Sequence, residues 1–66
     1  MTRYFILAMT KGGRFRAWYK RDETVMLDCW RKARYDTAYI WATVIKMSFI
    51  GGEWGAKLIE KKGDML

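Results

Sequence analysis

Arg14, Arg16, Trp18 and Lys20 are spaced two apart, and their types and spacing suit them to chemistry. On an extended strand such residues share a face, so this run would set three cations and an indole on one surface. Cations neutralise phosphates and rings stack on bases, the combination a sheet uses to hold single-stranded nucleic acid. Tyr4 and Ile6 join this surface if their strand is the hairpin partner. A second basic cluster, Arg31, Lys32 and Arg34, closes the helical segment beside Tyr35. There it compensates the helix dipole, and in a complex it would add phosphate contacts.

Covalent chemistry has less to work with. The chain has no His, which removes the commonest general base and metal ligand. Cys29 is the only cysteine, so a zinc site would need carboxylates alone. Asp22 and Glu23 are adjacent acids at a helix start, where such residues cap. These absences predict a protein that is not an enzyme, holds no metal or cofactor and takes no small-molecule substrate. A lone cysteine also suits a reducing, cytoplasmic setting.

The elements that must position these residues follow from glycine and periodicity. Sixty-six residues make one domain, 1–66, near the size where a core only just offsets chain entropy. Hydrophobic residues at 52% and aromatics at 17%, including Trp18, Trp30, Trp41 and Trp54, supply burial that length cannot. Gly12-Gly13 and Gly51-Gly52 each separate two apolar segments and read as hairpin tips. Asp22 is the expected N-cap of a helix over 23–35, whose apolar stripe is Val25, Met26, Cys29, Trp30 and Ala33. The stripe makes Cys29 a small buried hydrophobe. The apolar run from Ala38 to Ile50 is interrupted by Lys46 and is too short to span a bilayer, and no signal peptide is visible, so a soluble protein without membrane contact is expected.

Side-chain alternation predicts register. A three-residue loop, Lys11-Gly12-Gly13, makes Thr10 oppose Arg14 and gathers Phe5, Leu7, Met9, Phe15, Ala17 and Tyr19 on one face. Tyr4, Ile6, Ala8, Arg14, Arg16, Trp18 and Lys20 then share the other. A two-residue loop would mix Arg16 and Lys20 with Phe5 and Leu7. A tight Gly51-Gly52 turn aligns Ile45, Met47 and Phe49 with Trp54, Ala56 and Leu58. The Phe5 set and the Phe49 set are expected beneath the helix, leaving the Arg14 to Lys20 face open.

The predicted elements are strands over 3–10, 14–20, 38–49 and 53–61, with the helix over 23–35 between the hairpins. The third strand should run parallel to the second and pair with the first, giving an α+β fold of ββαββ form with an antiparallel sheet in the order 2-1-3-4. The two central strands are the most continuously apolar, while the outer strands carry the charge expected of edges.

This plan, a hairpin from Tyr4 to Lys20, a helix from Asp22 to Tyr35 and a hairpin from Ala38 to Lys61, resembles that of small phage-encoded proteins that antagonise host enzymes. Those include inhibitors of polymerases, toxin ribonucleases and defence nucleases. The resemblance covers nearly the whole chain and rests on layout, size and ring content. It implies a protein–protein function in which an edge strand or the open face fills a partner's groove, with Trp and Arg as hot spots.

Charge bears on the partner. Residues 1–34 hold nine of the thirteen basic residues and only three acids, whereas the remainder holds four of each sign. The basic half should attract nucleic acid or an acidic protein surface. Two readings follow: a nucleic-acid binder using the Arg14, Arg16, Trp18 and Lys20 face, or a phage-type inhibitor of a host protein. An edge strand also offers a route to a homodimer.

Overall fold

The glycine doublets turn the chain as their backbone freedom allows. In the computed structural model, which describes residues 1–64, β1 (Thr2–Thr10) and β2 (Phe15–Lys20) are joined by a three-residue loop. Thr10 N donates to Arg14 O at 2.9 Å, Arg14 N donates back to Thr10 Oγ1 at 3.0 Å, and Gly13 takes φ 82°. β3 (Tyr39–Ile50) and β4 (Glu53–Lys62) meet at a two-residue turn in which Gly51 and Gly52 have φ 63° and 82°. Both residues of such a turn need positive φ, which glycine supplies without a Cβ penalty.

Between the hairpins lies α1 (Glu23–Tyr35). Asp22 caps it by accepting from Val25 N at 3.1 Å. Asp36 leaves helical geometry at the other end, and its Oδ1 accepts from Ala38 N at 2.9 Å, an Asx-type turn that releases the chain into β3. The four strands form one antiparallel sheet in the order β2-β1-β3-β4, so the expected ββαββ α+β fold is the one observed. No helix among the described residues is long and apolar enough to cross a membrane.

Register is as expected in both hairpins: Ile6 opposes Trp18, Leu7 opposes Ala17, and Phe49 opposes Trp54. The helix nevertheless lies on the other side of the sheet from the one anticipated. The core beneath it is Tyr4, Ile6, Ala8, Ala42 and Val44 from the sheet with Met26, Trp30 and Ala33 from α1. Trp18, Cys29 and Tyr39 pack against this cluster half-buried, and Val25, placed on the apolar stripe, is exposed.

Alternation sorts residues into two faces but does not say which face receives the helix. That choice depends on the hand of the β2–α1–β3 crossover, which is strongly biased for parallel strands, and on fit. Ala8 and Ala42 keep the helix-side floor shallow, and Trp30 is almost fully buried on that side with Ala33 of its own helix. The opposite face carries larger side chains across all four strands.

Candidate functional site

The face of the sheet away from α1 is uncovered. By register it presents Phe15, Ala17 and Tyr19 from β2; Arg3, Phe5, Leu7 and Met9 from β1; Trp41, Thr43, Ile45, Met47 and Phe49 from β3; and Trp54, Ala56, Leu58 and Lys61 from β4. Much of this apolar material meets solvent: Phe15 is 54% exposed, Tyr19 40%, Phe49 41%, Trp54 42% and Leu58 53%. These exposed side chains come from β2, β3 and β4, and contiguous apolar patches of this kind are uncommon on protein surfaces.

The face is ordered by its own side chains. Two aromatic pairs lie across neighbouring strands, Phe5 with Tyr19 at 5.4 Å between ring centroids and Phe49 with Trp54 at 5.2 Å, and a third, Phe15 of β2 with Trp41 of β3 at 6.4 Å, reaches over β1. All three are tilted, the geometry that ring quadrupoles favour over flat stacking. Thr43 is fully buried among its neighbours. The pairing slips between Val44 and Ile45, leaving an extra residue on β4, and Thr43 Oγ1 donates to Glu60 O at this bulge at 2.9 Å.

Arg3 and Lys61 are the charged residues that register places on this face. The Arg3 guanidinium lies 5.0 Å from the Trp54 ring centroid and 5.7 Å from that of Tyr19. With Phe5, Met47 and Trp54 it lines a shallow pocket of about 230 Å³. The Tyr19 hydroxyl also accepts from Arg21 Nε at 3.0 Å, which brings a second guanidinium to the rim beside the same ring.

The residues anticipated for binding are placed differently. Tyr4 is buried beneath the helix. Trp18 stands edge-on to Tyr39 at 5.8 Å on the helix side, with Arg16 over its ring at 5.5 Å. Lys20 registers with Tyr4 on that side, and Arg14 sits at the exposed hairpin tip. They therefore do not form an open sheet surface, because their face is the one α1 covers. Arg31, Lys32 and Arg34 remain exposed on the helix, with Arg31 3.8 Å from Asp28 and Arg34 over the Tyr35 ring at 5.8 Å. The fold does bring the two basic clusters near each other, since Trp18 and Lys32 line one cleft with Cys29, Ala33, Asp36 and Tyr39.

The sequence does not single out Arg3, and alternation alone places Phe5, Tyr19, Met47, Phe49 and Trp54 beneath the helix, whereas they lie on the open face. A signal was present: the apolar set gathered on that face is too broad for one 13-residue helix, and Arg3 belongs to it by alternation. Among the described residues no group of three or more Cys, Asp or Glu side chains is placed to hold a metal ion. Comparison of the chain with protein-family models, with curated proteins and with solved structures finds no match, which leaves the open face and its single central guanidinium as the basis for a functional reading.

Proposed function

We propose that this protein works by binding, and that its open sheet face docks onto another protein whose surface is apolar and carries negative charge. The observation that carries this reading is the composition of the face: paired aromatic rings, aliphatic side chains between them, and Arg3 with no acid paired to it among the described residues. Burying such rings is the main source of affinity in protein interfaces, where Trp, Tyr and Arg dominate as hot spots. Leu7, Ile45, Met47 and Leu58 add area that a protein partner would bury and that a nucleotide chain would use poorly. A polynucleotide also needs a run of cations along its backbone, and this face has few.

A second reading, nucleic-acid binding, is favoured by one feature of the other side. Lys20, Lys46 and Lys57 fall in one row across the sheet with Tyr4, on the layer that also carries Arg16 and the helix cations. Phosphate contacts there would leave the aromatic face free. Pull-down from lysate with and without nuclease separates the two. A stoichiometric protein retained after nuclease treatment and lost on Trp54→Ala supports docking through the face, whereas capture that disappears with nuclease and weakens steeply with salt favours the second reading.

A further inference from the structure

We infer that the Arg3 pocket is a carboxylate-binding site: the partner inserts an Asp or Glu side chain, flanked by apolar residues, against the guanidinium between Tyr19 and Trp54. This inference rests on the reading that the open face docks a protein. The geometry begins with topology. Arg3 belongs to β1, with Tyr19 on β2 to one side and Trp54 on β4 to the other, so rings approach the guanidinium from two directions. Rings satisfy the flat faces of a guanidinium but accept none of its five in-plane N–H bonds. Arg3 Nε is shut off from solvent and has no hydrogen-bond partner among the described residues. Among the described residues the only ion pair is Arg31 with Asp28, so no carboxylate of this part of the chain serves Arg3.

An apolar partner surface laid over this pocket would bury the guanidinium without a counter-charge, a strongly unfavourable arrangement. A partner that supplies a carboxylate in the guanidinium plane, end-on to the two terminal nitrogens, removes that penalty and gains a bidentate, charge-assisted pair. A second copy packed face to face does not supply it. Of the described acids, Glu53 and Glu60 register with Ile50 and Val44 on the helix side, Asp22, Glu23, Asp28 and Asp36 belong to the helix and its caps, and Asp64 lies beyond the end of β4. No acid among the described residues is placed on the open face, and the carboxylate is assigned to a different protein. Arg21, held on the Tyr19 hydroxyl, extends the positive field at the rim and strengthens attraction of an acidic segment.

The experiment selects binders for the full-length protein from a displayed library of random linear peptides. Bound peptides are then mapped through amide shifts on the open face and through the Arg3 Nε–Hε signal. Peptides with Asp or Glu between apolar residues are expected. Replacing that acid by its amide should cost about 10- to 100-fold in affinity, the range of hydrogen bonds to charged groups. Arg3→Gln should cost as much, with no further loss when both changes are combined, while Arg3→Lys should recover only part. The amide spectra of both variants report whether the fold is kept. Peptides that map to the open face without acid enrichment would overturn the carboxylate site and leave the docking face standing. If selected peptides map elsewhere and an oligothymidylate shifts the open-face signals instead, both the site and the reading beneath it fail.

Discussion

The two sides of the sheet both carry apolar residues on their central strands and differ in how far these are buried. On the helix side Tyr4, Ile6, Ala8, Ala42 and Val44 are buried together with Trp30 of α1. On the other side Phe15, Tyr19, Phe49, Trp54 and Leu58 keep two-fifths or more of their surface in solvent although most of the rings are paired. Lateral ring pairs contribute some cohesion, yet they cannot exclude water from above. Aromatic content therefore says how much burial is available to a small domain. It does not say whether that burial happens on folding or on binding.

The sharpest way to break this contrast is to truncate one tryptophan on each side. Trp30→Ala should cost about 3–5 kcal/mol, as large-to-small ring deletions in cores do, and in a 66-residue domain that approaches the whole stability. Urea denaturation measures it, and a variant as stable as the parent would mean that α1 does not cover this side. Ala8→Leu should be next, at about 1–3 kcal/mol, because the added carbons push against a fully buried floor. If it were neutral, the close approach of helix and sheet assigned to the alanines would be wrong.

On the open side the expected ordering reverses between stability and binding. Trp54→Ala should lower stability by about 0.5–1.5 kcal/mol, the scale of an aromatic pair, while removing most of the affinity for a protein partner. A loss of stability as large as that of Trp30→Ala would erase the distinction between the two sides. The smallest effect is expected for the double change of Arg16 and Lys20 to Ser, within about 0.5 kcal/mol, since neither side chain is in the core cluster. Affinity for a protein partner should then stay unchanged. Loss of oligothymidylate binding by this variant, together with a shallower salt dependence, would favour the nucleic-acid reading instead.

What was legible in the residues is everything that depends on neighbours along the chain or across one turn. Gly13, Gly51 and Gly52 supply the positive φ that sets the loop lengths, and loop length sets register. Asp22 begins the helix where its side chain can reach Val25 N. The strand order followed because a helix must join two parallel strands with β1 between them. Tertiary structure alone decided which of two apolar faces the helix would take, and with it where Tyr4, Trp18 and Lys20 lie. The face that carries them is not the open one, since Trp18 packs on the helix side even with the three-residue loop, so register and coverage are independent facts. Alternation with period two is symmetric between the faces of a sheet. The hand of the crossover and the packing of Met26, Trp30 and Ala33 into one cluster with Ala8 and Ala42 break that symmetry, and both involve residues far apart in the chain.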